Sequence, residues 1–178
     1  MQLSPLQLME YAFEGVSITP VDGFDNANRN PSLVFTSDGM KLQSEAGIAV
    51  SKESEKHSDY GLRFTLVVSA KEGSAIPYEI RVCVAGGVRM HGGGTQEQRQ
   101  NLALVNGISL LFGAVRDLVA SVTSRSRYGQ MLLPTLNFAK LAEQHVAAAG
   151  AATAQKANPS AAKPLPAKKR PSPTRSKP

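Results

Sequence analysis

The feature that most constrains the fold is a long amphipathic pattern between about residues 96 and 124. Large apolar residues recur there at intervals of three and four, which predicts one face of an α-helix. They are Leu104, Ile108, Leu111, Phe112, Val115, Leu118, Val119 and Val122. Thr95 and Gln98 form a capping-box pattern at its start. Such a helix is about 40 Å long, so we expect it to overhang a small sheet and to pack partly on another subunit.

The hundred residues before this helix follow a period of two, which is typical of half-buried strands. In two segments the alternation is clear, and their inward residues are Leu62, Phe64, Leu66 and Val68, then Tyr78, Ile80, Val82 and Val84. The long turn 71–77 between them favours a hairpin. Residues 6–18 and 39–53 alternate more loosely, with the polar stretch 20–32 between them, and "HGGG" at 91–94 ends the last strand.

These patterns predict an α+β fold, in which a four-stranded antiparallel sheet is covered on one face by the long helix. A second C-terminal helix is predicted over 139–156, with Leu141 and Val146 as its only large apolar residues. The chain then divides into a domain of residues 1–157 and a tail of residues 158–178. The tail is rich in Pro, Ala and Lys, so we expect it to be disordered.

The charge of the chain lies in this tail. Of 20 basic and 14 acidic residues, six basic and no acidic ones fall in the last 21 positions, so residues 1–157 are neutral. A basic tail is either a solvated, solubilising extension or a contact for nucleic acid, an acidic protein or a membrane surface. No apolar run in the sequence approaches the roughly 20 residues of a membrane span. The N-terminus lacks a basic leader pattern, and Cys83 is the single cysteine, so we expect a cytoplasmic protein.

Nothing in the sequence assembles a catalytic, cofactor or metal site. His57, His91 and His145 are far apart and have no companions at ligand spacing, and a single cysteine excludes the common structural zinc patterns. "HGGG" resembles an oxyanion-hole motif, but the G-x-S-x-G turn that must accompany it is missing. We therefore predict that the protein is not an enzyme and needs no cofactor or metal.

The stretch "GQMLLPTLNF" at 129–138 is apolar, nearly uncharged and interrupted by Pro134. Together with its surroundings, residues 112–141, it resembles the SecB family of protein-export chaperones, in which a long helix ends in a Ser-Arg step and a crossover loop leads to Asn-Phe and a second helix. The residues that carry the resemblance are Phe112, Arg116, Ser124, Arg125, Gln130, Leu133, Asn137, Phe138 and Leu141. The architecture before residue 112 agrees in order and size.

The resemblance implies an ATP-independent holdase, assembled as a dimer of dimers, that keeps unfolded polypeptides or preproteins in exposed apolar grooves and passes them to the SecA motor. On this basis the residues predicted to bind clients are Tyr128, Met131, Leu133, Leu136, Phe138 and Leu141. The alternative interpretation is that Leu133 and Phe138 are ordinary core under the second helix. The known export members are acidic, whereas this folded part is neutral, which argues against recruiting SecA by charge. Two alternatives stay open: a SecB-like chaperone of an antitoxin, and an adaptor that tethers through its basic tail.

Overall fold

The computed structural model describes residues 3–25, 40–54, 56–70, 76–92 and 94–140. These residues form one sheet and one long helix. The elements are β1 (Leu6–Pro20), β2 (Met40–Glu53), β3 (His57–Ala70), β4 (Tyr78–His91) and α1 (Gln96–Thr123). The sheet order is β1-β4-β3-β2, and every neighbouring pair is antiparallel. The predicted α+β class, with a four-stranded antiparallel sheet and a long helix, is confirmed.

The sheet buries the face that the sequence predicts. The inward residues of the two central strands are almost fully buried, and β3 and β4 pair as the predicted antiparallel neighbours. β4 continues beyond the clear alternation and ends at His91, because Val88 and Met90 keep the inward phase and are buried. Consecutive strands β1 and β2 lie at opposite edges of the sheet.

α1 begins with the predicted capping box, since the Thr95 side chain accepts from the Gln98 N–H and the Gln98 side chain accepts from the Thr95 N–H. Its buried face packs on the sheet, with Leu111 against Gly86 of β4. A Cβ at Gly86 would lie 2.9 Å from both Leu111 Cδ2 and the carbonyl oxygen of Glu10. Only glycine therefore lets the helix and β1 approach β4 so closely at this point.

Strands of 14 residues span about 46 Å and the 28 helical residues span about 42 Å, so α1 is no longer than the strands that it covers, and its overhang stays a prediction. The large apolar side chains of α1 that are exposed are Leu102, Leu110 and Val122. By length and composition α1 also meets the minimum for a membrane span. The core helix of a protein that never enters a membrane passes the same test, and α1 packs on the sheet.

The chain is helical again at Ala139 and Lys140, where the predicted second helix begins. The rest of that helix, the tail 158–178 and the predicted client-binding residue Leu141 lie outside the described residues. The domain boundary at 157 accordingly stays a prediction.

Candidate functional site

The candidate site is built on the crossover segment, residues 124–138, which follows α1 and runs back along it. The Met131 N–H donates to Thr123 Oγ1 at 2.8 Å, and the Leu133 carbonyl accepts from Arg116 Nε at 3.2 Å. Further along, the Phe138 ring lies 5.4 Å from the ring of Phe112. The segment thus passes from the last turn of α1 to its middle, held by side chains of the helix itself.

Thr123 makes the first of these attachments. Its hydroxyl is completely buried and donates to the Val119 carbonyl at 2.6 Å while accepting from the Met131 N–H. A threonine hydroxyl can donate one bond and accept others, so this side chain, on the last residue of α1, fixes the start of the returning stretch.

Two tyrosines anchor the turn between α1 and the returning stretch. Tyr78 Oη accepts from the Tyr128 N–H and donates to the Gly129 carbonyl, both at 3.0 Å. Tyr128 Oη in turn donates to the Val21 carbonyl at 3.0 Å. Gly129 has a φ of 76°, a left-handed conformation that glycine adopts without strain. The turn is therefore tied to β4 and to the end of β1.

The far end of the segment is fixed by aromatic packing. Phe138 meets Phe64 of β3 at 5.7 Å and Phe112 of α1 at 5.4 Å between ring centroids, in edge-to-face geometry. Such pairs contribute about 0.5–1.5 kcal/mol each beyond the burial of apolar area. Asn137 Oδ1 accepts from the Ala139 N–H at 2.9 Å, the side-chain contact that starts a helix.

Between these anchors the side chains of the segment point alternately inward and outward. Met131 and Leu133 are buried, whereas Leu132 between them is 50% exposed. Thr135 and Asn137 are also exposed, and Leu136 is half-buried. The segment is thus a fixed backbone that presents one face to the core and the other to solvent.

The structure separates the residues that the sequence assigns to client binding. Tyr128, Met131, Leu133 and Phe138 belong to the core, and Leu136 is half-buried at the surface. Whether any of them contacts a client stays a prediction, and the four core residues would have to leave the core to do so. Sequence reasoning missed Leu132, because its neighbours Met131 and Leu133 are equally apolar. The alternation around Pro134 was visible in the sequence, but the sequence did not show which of the alternating residues face inward.

Among the residues that the structure describes, no group of three or more His, Cys, Asp or Glu side chains could hold a metal ion. The fold and the crossover segment together define an α+β protein whose candidate site is a partly apolar surface on a hydrogen-bonded backbone.

Comparison with known proteins identifies the family. Residues 24–149 match the family model described as SecB, preprotein translocase subunit SecB. Over 130 residues the chain is 30% identical to the protein-export protein SecB of Thioalkalivibrio sulfidiphilus (strain HL-EbGR7), covering 68% of this chain and 74% of that relative. The chain belongs to the SecB family of protein-export chaperones, and the resemblance found in the sequence is confirmed.

Two solved structures are similar at lower identity. One is the Mycobacterium tuberculosis Rv1957 SecB-like chaperone in complex with a ChAD peptide from the Rv1956 HigA1 antitoxin, with a TM-score of 0.49 and 14% identity over 74% of this chain and 90% of that one. The other is a protein of unknown function from Streptococcus agalactiae, with a TM-score of 0.48 and 14% identity over 73% and 97% of the two chains.

Proposed function

We propose that the protein is an ATP-independent, non-enzymatic chaperone of the cytoplasm that holds unfolded polypeptides, with preproteins destined for export as its first client class. Membership of the SecB family supports the client class. The observation that carries the mode of binding is the crossover segment, whose hydrogen-bonded backbone holds Leu132 half exposed and Leu136 partly exposed.

The physical basis of holding is simple burial. Apolar surface removed from water contributes roughly 25 cal/mol per Å², so several exposed side chains together bind an unfolded segment without any chemical step. A protein that binds the unfolded state preferentially shifts the folding equilibrium of its client by mass action. No nucleotide is needed for this, because burial of the client's own apolar surface supplies the free energy of binding.

We propose that the outward residues of the crossover make the first contact with clients. Leu132 is the most exposed leucine of the segment. Leu136, four residues further on, packs against the core but keeps part of its surface in solvent. Leu141 keeps its assignment as a client contact. Tyr128, Met131, Leu133 and Phe138 act under this proposal as supports of the surface, which is what their burial favours.

Replacing Leu132 with aspartate is expected to weaken the suppression of client aggregation several-fold while leaving the fold intact. The side chain is half exposed, so the charge costs little in stability but opposes apolar contact. The measurement is light scattering of a chemically unfolded client diluted into each variant at equal protomer concentration. The matched control is Leu3→Asp, the same change at an exposed leucine outside the crossover. Equal suppression by Leu132→Asp and the parent protein would contradict the proposal.

We also propose a homo-oligomer, a dimer of dimers. Leu110, Ala114, Leu118 and Val122 follow one another at intervals of four on α1 and are exposed or half-buried, so they form a row along one side of the helix. Tyr11 and Val16, at the β1 edge of the helix-covered face, are each 48% exposed. Leu111, the chain neighbour of Leu110, and Tyr11 both adjoin Gly86, and we propose that the row lies on the β1 side of the helix. A combined apolar surface of this kind suits a partner subunit.

The double change Leu110→Asp with Val16→Asp is expected to lower the oligomeric mass, because it puts charges into an apolar contact. Light scattering coupled to gel filtration measures the mass, and Leu132→Asp serves as the control that keeps it. A parent protein that elutes as a monomer at micromolar concentration would rule out the assembly.

A second function, supported by the segregation of charge, is tethering through the basic tail to nucleic acid or an acidic partner. A chain ending at residue 157 is expected to lose salt-dependent binding to DNA, and the full chain to bind more weakly as salt rises. Transfer to SecA and protection of an antitoxin remain further predictions for client and partner panels. If the shortened chain retains all binding, the tail plays no part in tethering.

A further inference from the structure

Two histidines that are remote in the sequence meet on the sheet. His57 begins β3 and His91 ends β4, and they are direct partners in the antiparallel register. Both lie on the face of the sheet opposite α1. Successive strand residues point to opposite faces, and their neighbours Ser58 and Met90 are buried on the face that α1 covers. Their ring centroids are 5.9 Å apart with an interplanar angle of 47°. His57 is half-buried and His91 is exposed.

The surroundings of His57 favour the tautomer that a metal ligand requires. Ser54 Oγ donates to the His57 carbonyl at 2.8 Å and lies 3.3 Å from His57 Nδ1. Because the single hydroxyl proton is committed to the carbonyl, Nδ1 is the donor in the contact with Ser54. The neutral ring then carries its lone pair on Nε2. Metal-binding histidines are commonly held in this way, with the second ring N–H donated to an oxygen.

The spacing of the rings fits a shared ion. With metal–nitrogen bonds of roughly 2.0–2.1 Å, two imidazoles on one tetrahedral ion have centroids about 5 Å apart. The observed 5.9 Å closes to this value through small changes in side-chain torsions, which an exposed His91 can make. We propose that His57 and His91 form a two-histidine site for a divalent transition metal of the class that prefers imidazole, namely Zn²⁺, Ni²⁺ or Cu²⁺.

The charged residues near the two histidines provide no further metal ligand. Asp59 and Arg89 form the next outward pair of the ladder, joined by two hydrogen bonds of 2.7 and 2.8 Å. The Arg89 guanidinium holds the pKa of the Asp59 carboxyl below its ordinary value, so this carboxylate is engaged and is not a third ligand. Lys52 lies opposite Asp59, and Lys56 adjoins His57. Coordination by the two rings, completed by water, must therefore supply the affinity.

A bound ion would join the first residue of β3 to the last residue of β4. Beyond His91 the chain passes through Gly92 and Gly94, both at positive φ, into the capping box of α1. The ion would thus crosslink β3 and β4 at the end of the sheet where the glycine-rich link to α1 begins. The site is remote from the crossover segment, and its failure would leave the proposed chaperone function untouched.

The test is a titration of the full, tag-free protein with Ni²⁺, followed by calorimetry and by thermal unfolding. We expect saturable binding of one ion per chain and a rise in Tm with Ni²⁺, because ligands of the folded state stabilise it by mass action. In His57→Gln and in His91→Gln the apparent Kd is expected to rise about tenfold or more, since one ring no longer benefits from the other as a tethered second ligand. His145→Gln and Cys83→Ser are the controls, and both should bind as the parent does.

The result that supports the site is a loss in both His57→Gln and His91→Gln with neither control affected. Absence of saturable binding in the parent protein, or a loss confined to one of the two variants, overturns it. Far-ultraviolet circular dichroism of each variant without metal separates loss of a ligand from loss of fold. Selective broadening of the His57 and His91 imidazole signals by Ni²⁺ in NMR spectra provides the second readout, and equal broadening of all three histidines contradicts the proposal.

Discussion

Replacing Phe138 with alanine is expected to lower the free energy of unfolding by about 3–5 kcal/mol, the usual cost of removing a buried aromatic ring. The ring is only 5% exposed and meets both Phe64 and Phe112 edge to face. Its removal leaves a cavity between β3, α1 and the crossover segment, three elements that have little freedom to close it. We expect the cost at the upper end of this range if the returning stretch also loses its register on α1.

Leu132→Ala is the matched control, six residues away on the same segment. Its half-exposed side chain should cost no more than about 0.5 kcal/mol, as surface changes usually do. Urea unfolding followed by circular dichroism measures both, at one protomer concentration because assembly would couple to stability. Similar costs for the two variants would mean that the crossover is not docked on the helix in solution.

Gly86→Ala is expected to destabilise the protein by about 1–3 kcal/mol, the range for overpacking a filled core. The added methyl group would lie 2.9 Å from the Glu10 carbonyl oxygen and 2.9 Å from Leu111 Cδ2. Leu111 can rotate, but the carbonyl belongs to the backbone of β1 and can move only with the strand. The change therefore acts on the approach of β1 and α1 to β4 together.

The adjacent Gly87→Ala is the control for this prediction. Its Cβ would point to the opposite face, where the nearest atom is Glu10 Cγ at an ordinary 3.6 Å. We expect it to be neutral or slightly stabilising, since alanine restricts the unfolded chain more than glycine does. Thermal unfolding of the two variants, one residue apart, tests the face assignment directly. A larger loss of stability in Gly87→Ala than in Gly86→Ala would mean that the two faces are assigned the wrong way round.

The elements were predictable because their signals are local. Alternation in β3 and β4 and the stripe of α1 each state which face is apolar, and Thr95 with Gln98 marks where the helix begins. The order of the strands was not predictable in this way. It places β1 beside β4 rather than β2, through contacts that join distant parts of the chain.

Contacts between distant parts of the chain also explain why the sequence did not show which residues of the candidate site are exposed. Met131, Leu132 and Leu133 are chemically alike, and only the hydrogen bonds to Thr123 and Arg116 decide which two face inward. Those bonds link residues on either side of a turn, and no short pattern encodes them. His57 and His91 are a similar case, because 34 positions separate them in the chain and one rung of the ladder unites them.

The crossover segment has a consequence for how such a surface can diversify. Its path is fixed by main-chain groups that bond to Thr123 and Arg116 and by the inward side chains. Positions 132 and 135 contribute little to that path, so they are free to accept different side chains without disturbing the scaffold, whereas Asn137 caps the helix that follows. A library randomised at these two positions should consist largely of folded proteins that differ in the polypeptides they retain.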